Sequence, residues 1–175
     1  MPNWIRASNS RVAGLFAVVL AGLLSGCCSG SVAVRFERER EINASGQPLD
    51  IHLWCVMPKN AKQNPNLDPK KGLVPTKTYF ANPDTALTGV PLGQRKTIQL
   101  PGRTPEANPA PVTVAMTHEH EWFEDANATL WIFADFRDSA NRVRDDVEPI
   151  RVGVHGKKTV VVFVGREGLR LQSVD

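Results

Sequence analysis

The stretch Leu49–Met57, LDIHLWCVM, alternates apolar residues with residues of mixed character. A period of two residues is typical of a β-strand that buries one face. The sequence therefore predicts a strand whose core face carries one set of side chains and whose other face carries a second set. The expected core face is Leu49, Ile51, Leu53, Cys55 and Met57, and the other face is Asp50, His52 and Trp54.

The same alternation recurs along the chain and predicts eight or nine strands. No segment has a strong helical period, and residues 138–146 predict at most one turn, with Asp138 as its cap. Many short strands separated by turns indicate an all-β fold, a two-sheet antiparallel β-sandwich. Besides Leu49–Met57, the candidate strands are Val32–Glu37, Thr76–Ala81, Thr97–Leu100, Val112–Thr117, Leu130–Phe136, Ile150–Val154, Leu169–Leu171 and Thr159–Val164, the last apolar on both faces and so expected at the centre of a sheet.

Two proline-rich segments interrupt this pattern. Pro58–Pro75 and Pro101–Pro111 each contain four prolines, which lack the amide proton that a strand ladder needs. Both segments are therefore predicted to be loops. Long loops on a rigid sandwich often carry binding residues, but they are also tolerated as simple insertions, and the sequence leaves both interpretations open.

The N-terminus has the three parts of a secretory signal. Arg6 and Arg11 precede an apolar run over Val12–Leu24, and small residues follow at Ser25 and Gly26. The run has 13 residues, whereas crossing the hydrocarbon core takes about 20. The segment is therefore expected to be cleaved rather than to remain as a transmembrane helix.

Leu24-Ser25-Gly26-Cys27 resembles the lipobox of bacterial lipoproteins, in which the cysteine thiol is acylated. The alternative is an ordinary signal that happens to contain a cysteine. The lipobox implies a bilayer contact through acylated Cys27, and Cys28 in place of aspartate favours the outer membrane by analogy with lipoprotein sorting. The expected organisation is a signal peptide over residues 1–26, a lipidated tether over 27–31 and a β-sandwich domain over 32–175.

The net charge of the chain does not favour nucleic acid as a partner. Loss of the two arginines of the signal would lower the net charge from +3 to +1, so no excess of one sign favours nucleic acid. In an oxidising compartment Cys28 and Cys55 could form a disulfide. A buried thiol at Cys55 is the alternative, and the sequence does not choose between them.

The sequence contains few candidates for catalytic or ligand-binding residues. The chain lacks the Gly-x-Ser-x-Gly elbow, the phosphate-binding glycine loop and the zinc-protease helix motif, so no catalytic residue, no metal ligand set and no cofactor is predicted. His118 and His120 would share one face of a strand and could hold zinc or copper, but a polar strand end explains them as well. Trp122 and Phe123 could stack on a sugar or fill the core. Trp54 and Trp131 are expected to fill the core.

With these residues assembled, the chain resembles TssJ, the outer-membrane lipoprotein family of the type VI secretion system. The lipobox followed closely by a strand is one cue. The others are Asn43-Ala44-Ser45-Gly46-Gln47-Pro48 before the strand over Leu49–Val56, the spaced Phe80, Asp84 and Leu87, the step Leu100-Pro101-Gly102, and Ala134-Asp135-Phe136-Arg137-Asp138. The chain departs from the family at Trp54-Cys55-Val56, where Tyr-Gln-Leu is usual, and at Asn141-Arg142, where the family commonly has a Trp-Arg pair.

The resemblance implies a sandwich of the transthyretin or immunoglobulin-like kind and a function without catalysis. It implies a lipid-anchored adaptor on the periplasmic face of the outer membrane, which binds the periplasmic domain of the inner-membrane component TssM. The family's partner-binding loop corresponds here to Asn43, Ala44, Ser45, Gly46, Gln47, Pro48 and Leu49. Residues 58–75 are a second candidate for partner contact, because they are long and polar. The alternative function is a periplasmic lipoprotein that binds a solute or glycan through Trp122 and Phe123.

Overall fold

The structure of the protein, a computed structural model, describes residues 31–56, 74–87, 95–117 and 127–175. Eight strands and two short helices lie in these ranges. The strands are β1 (Ser31–Arg38), β2 (Leu49–Val56), β3 (Arg95–Leu100), β4 (Val112–Thr117), β5 (Thr129–Ala134), β6 (Ile150–Gly153), β7 (Thr159–Gly165) and β8 (Gly168–Val174), and the helices are α1 (Thr76–Ala81) and α2 (Pro83–Ala86).

The strands form two sheets of four, in the orders β4-β1-β7-β8 and β3-β2-β5-β6. The pair β1–β7 is parallel, and the other described pairs are antiparallel. The all-β sandwich predicted from the sequence is confirmed, and so is the position of β7 between two neighbours. The parallel pair is a departure, which arises because the chain crosses to the other sheet and returns beside β1 in the same direction.

The main core lies between the two sheets. The four predicted core residues of β2 that the structure describes, Leu49, Ile51, Leu53 and Cys55, are each at most 3% exposed. Complete burial of a large apolar side chain stabilises the folded state by about 1.5–3 kcal/mol, so this alternation is the main source of stability. From the facing sheet, β1 contributes Val32, Val34 and Phe36, and β7 contributes Val160, Val162 and Val164.

A second, smaller core covers the outer face of β2 and β5. Trp54 and Trp131 are both 1% exposed there, beneath α1 and α2, together with Tyr79 and Phe133. The prediction that these tryptophans are buried is confirmed. They pack on the side of the sheet away from the main core, which for Trp54 is the face that the alternation of β2 predicted.

The segment Thr76–Ala81 was expected to be a strand, and that prediction is wrong. It forms helix α1, with Pro75 immediately before its first turn. Thr76 and Tyr79, three residues apart, are both buried on the side facing the sheet. The Thr76 hydroxyl donates a hydrogen bond of 2.7 Å to the carbonyl oxygen of Val147, which ties the helix to the loop after β5.

The segment 138–146 is also not helical in the structure. Asp138 nevertheless caps a turn, because its Oδ1 accepts hydrogen bonds from the backbone N–H groups of Ala140 and Arg142, each at 2.9 Å. These bonds and the Arg142 guanidinium hold the pKa of Asp138 below its usual range. The predicted cap is therefore present, but it serves a loop rather than a helix.

Strand directions give the sandwich two distinct ends. At the Ser31 end the chain enters β1, and the turn 154–158 joins β6 to β7. At the Arg38 end lie the loops 39–48, 101–111, 135–149 and 166–167. No helix in the described ranges is long and apolar enough to cross a membrane.

Candidate functional site

The connection from β1 to β2 contains the predicted binding stretch, and it lies at the Arg38 end. We call residues 43–48 the Asn43 turn. Asn43 is 0% exposed, and Leu49, which follows the turn, belongs to the main core. The exposed tip consists of Ala44, Gly46, Gln47 and Pro48, with Ser45 half-buried. The stretch is therefore divided into a buried base and an exposed tip.

The Asn43 side chain holds the turn closed. Its Nδ2 donates to the carbonyl oxygen of Gln47 at 3.1 Å, and its Oδ1 accepts from the backbone N–H of Arg137 at 3.0 Å. Its carbonyl oxygen accepts from the N–H of Gly46 at 2.9 Å. Gly46 has a φ of 71°, in the left-handed region that a residue without Cβ adopts at little cost. Asparagine thus provides both a donor and an acceptor at a buried position.

Gly102 contacts the base of the Asn43 turn. Its carbonyl oxygen accepts hydrogen bonds from the N–H groups of Ile42 at 2.9 Å and Asn43 at 3.4 Å. A Cβ at Gly102 would overlap the carbonyl group of Gln47, so the close approach of the two backbones requires glycine. The Leu100-Pro101-Gly102 step, read in the sequence as an isolated cue, is thus in direct contact with the Asn43 turn.

A third segment completes the base. Asp135, only 7% exposed, accepts from Arg137 Nε at 2.9 Å and Nη2 at 2.6 Å through its Oδ2. This pairing holds the backbone of Arg137 where its N–H reaches Asn43. Three separate sequence cues of the resemblance therefore meet at one place, and each has a structural reason to be there.

The tip and its surroundings differ in charge. The five tip residues are uncharged, whereas arginines around them are engaged by neighbouring groups. The tip can therefore recognise a partner through shape, its amide side chain and backbone groups, with little contribution from net charge. The surrounding contacts are Arg38 with the Pro101 carbonyl, Arg40 with the Thr104 carbonyl, Arg142 with Asp138, Arg144 with Asp146 and Arg166 with Glu41.

Comparison with known proteins gives a match in structure. TssJ1 from Pseudomonas aeruginosa, a type VI secretion lipoprotein, superposes with a TM-score of 0.53 at 13% identity, over 84% of this chain and 97% of its own. Lip from Serratia marcescens, a membrane-bound component of the type VI secretion system, gives a TM-score of 0.50 at 12% identity, over 82% and 96%. The chain has the fold of the TssJ lipoproteins. No family model and no curated protein sequence matches it.

The resemblance to TssJ that the sequence indicated is therefore confirmed at the level of the fold. The match covers nearly all of both secretion proteins, so the similarity is not confined to one sheet. At such low identity, the match establishes the fold of this TssJ-like chain and does not by itself establish its function.

Other residues singled out in the sequence fall outside the described part of this TssJ-like fold. They are Cys27, Cys28, His118, His120, Trp122, Phe123 and nearly all of 58–75. Acylation of Cys27 thus stays a prediction, and the Cys28–Cys55 disulfide, histidine metal binding and aromatic sugar stacking stay open alternatives. Cys55 is 3% exposed in the main core, and burial raises the pKa of its thiol.

One polar cluster that the sequence did not reveal lies beneath α1. The Tyr79 hydroxyl accepts a hydrogen bond of 2.6 Å from Trp54 Nε1, and it lies 2.6 Å from His52 Nδ1. Since the indole can only donate, the hydroxyl proton is available to His52 Nδ1, which leaves the imidazole proton on Nε2. The Tyr79 ring stacks on Phe133, with centroids 3.9 Å apart.

Burial keeps this cluster neutral. It raises the pKa of Tyr79 to about 12 and, together with the charge of Arg95, lowers the pKa of His52 below 6.5. A neutral, hydrogen-bonded cluster between a helix and a sheet is a means of attaching α1. The only trace of it in the sequence is the three-residue spacing of Thr76 and Tyr79, which is too short to establish a helix.

Proposed function

We propose that this protein is a non-enzymatic adaptor of the type VI secretion membrane complex. It is anchored to the outer membrane by acylated Cys27, faces the periplasm, and binds the periplasmic domain of the inner-membrane component TssM through the tip of the Asn43 turn. The observation that carries the proposal is the fold shared with two type VI secretion lipoproteins over at least 96% of their chains.

The position of the turn supports this arrangement. Cys27 precedes Ser31 by four residues, so an acyl anchor would hold the Ser31 end near the bilayer. The Asn43 turn follows β1 at the opposite end, about 25 Å away along an eight-residue strand. A partner that reaches across from the inner membrane would meet the Arg38 end first.

The construction of the turn also supports binding. Its base is fixed by Asn43, Gly102 and Arg137, so the tip has a defined shape before any partner arrives. Preorganisation lowers the entropy lost on association. A rigid, uncharged, solvent-exposed tip is therefore a suitable contact for a protein surface.

The test is a binding measurement between the soluble domain, beginning at Ser29, and the periplasmic domain of TssM from the same cell. Ala44→Arg places a long charged side chain on the tip and should weaken binding at least tenfold. Ala115→Arg is the matched control, because Ala115 is an exposed alanine on β4 towards the Ser31 end. Both variants should unfold at the temperature of the parent.

Equal affinities of Ala44→Arg and Ala115→Arg would remove the tip from the contact. No binding by the parent domain would contradict the adaptor function itself. The anchor is tested separately, by the mass of the mature protein from the native cell, which should show acyl chains on Cys27.

A further inference from the structure

The turn between β6 and β7 contains His155-Gly156-Lys157-Lys158 and lies at the Ser31 end. We propose that this turn, which we call the lysine turn, binds the headgroups of anionic phospholipids and thereby orients the domain on its membrane. The inference rests on the acyl anchor of the proposed function and adds a second, electrostatic contact that the anchor alone does not imply.

The first argument is distance. The N–H of Ala33 donates to the carbonyl oxygen of Lys158 at 2.8 Å, and Ala33 is in register with Thr159 where β1 and β7 run in parallel. The lysine turn therefore lies beside the point where the chain enters the domain. Three residues lie between Cys27 and Ser31, and the four steps from one Cα to the other span at most about 14 Å even when fully extended. An anchored domain cannot move this turn far from the headgroups.

The second argument is charge. Lys158 and His155 are exposed and Lys157 is half-buried, and no ion pair with either lysine occurs in the described part of the chain. Within the described ranges, Asp175 lies beside them, and its carbonyl oxygen accepts from the N–H of Lys158 at 2.6 Å. At the Arg38 end, by contrast, most arginines are engaged by carboxylates or carbonyls.

The third argument is rigidity. The N–H of Lys157 donates to the carbonyl oxygen of Val154 at 3.0 Å, and Gly156 has a φ of 64°, so the turn is closed. Val154 is 3% exposed, and its N–H donates to Ala128 at 3.1 Å. The backbone that carries the lysines is therefore fixed, and only their side chains are ordered on contact with the membrane.

The expected effect is orientation rather than attachment. Each lysine close to an anionic surface favours the bound arrangement about fivefold, and the attraction fades within a Debye length of about 8 Å. Two lysines together thus favour the upright domain by about 25-fold, which is enough to keep the Asn43 turn directed away from the bilayer. Without an acyl chain the same contact is too weak to hold the protein.

The experiment uses the full acylated protein in vesicles of neutral phosphatidylcholine, with or without about one third phosphatidylglycerol. A dye on Ala44→Cys, in a chain with Cys28→Ser, transfers energy to an acceptor lipid. Transfer should be lower in the anionic vesicles, because the Arg38 end stands away from the bilayer, and 0.5 M salt should raise it. Lys157→Gln with Lys158→Gln should raise transfer to the neutral-vesicle value.

The control pair Arg103→Gln with Arg166→Gln removes the same charge at the Arg38 end and should leave transfer low. Equal transfer in both vesicles, or transfer unaffected by the lysine substitutions in a correctly folded protein, overturns the proposal while leaving the adaptor function standing. A mature protein with Cys27 unmodified, which binds neither vesicle, overturns the anchor and this inference together. The mass of Cys27 and the transfer ratio therefore distinguish the two failures.

Discussion

Replacing Asn43 by alanine should destabilise the domain by about 2–4 kcal/mol. The substitution removes two side-chain hydrogen bonds at a position that is 0% exposed. The bond to Gln47 contributes about 1 kcal/mol net, and leaving the buried donor of the other bond without a partner costs about 1–3 kcal/mol. The donor left behind is the backbone N–H of Arg137. The acceptor left behind, the Gln47 carbonyl, is near the exposed tip and can turn to water.

The measurement is urea unfolding of the domain from Ser29 onward, followed by the fluorescence of its buried tryptophans. The midpoint should fall without a change in the slope, since the area exposed on unfolding is nearly the same. Gln47→Ala is the control, because the exposed Gln47 enters the turn through its backbone; it should change stability by less than about 0.5 kcal/mol. Equal effects of the two substitutions would refute the assignment of Asn43 as the base of the turn.

Three further outcomes are expected. Gly102→Ala should cost about 1–3 kcal/mol and lower the melting temperature by several degrees, whereas Gly153→Ala, where a Cβ meets nothing within 4 Å, should leave it almost unchanged. Tyr79→Phe should destabilise by about 1–3 kcal/mol in urea unfolding, because it strands the indole N–H of Trp54, and a loss near zero would contradict the hydrogen bond. The pKa of His52 is lowered in the folded state, so the unfolded chain binds more protons below pH 6.5. The stability that neutral His52 contributes should therefore be complete above that pH and be lost as the pH falls. Between pH 7.5 and pH 5, the free energy of unfolding of His52→Gln should fall less steeply than that of the parent.

The sequence predicted the strands well because their signal is local. Leu49–Val56 and Val112–Thr117 each show their period of two over at least six residues, and one register buries the apolar face. Helix α1 was missed because six residues are too few to show a helical period. Its helical state depends on the tryptophan-bearing face of β2, which is remote in sequence. The parallel pairing of β1 with β7 likewise joins segments more than a hundred residues apart, and no local pattern contains it.

The partner-binding stretch stays a prediction, and the sequence could not show which of its residues are buried and which are exposed. Asn43 was expected to contact a partner, like Gln47. The structure places Asn43 entirely inside, because its two polar atoms satisfy Gln47 and Arg137. A single sequence shows that asparagine and glycine favour a turn. It does not show which distant backbone groups the asparagine side chain will meet.

The division of the Asn43 turn into base and tip separates the residues that fix its shape from those that face solvent. The cues that indicated the family, Asn43, Gly102 and Arg137, are those that fix the shape of the turn, and each acts at least partly through backbone groups. The side chains of the tip residues do not fix the shape of the turn, so substituting them leaves the base unchanged. A fold built this way can alter the surface that it presents to a partner while keeping the geometry of presentation. Specificity for one secretion complex over another would then be determined at residues 44–48, and stability at the residues beneath them.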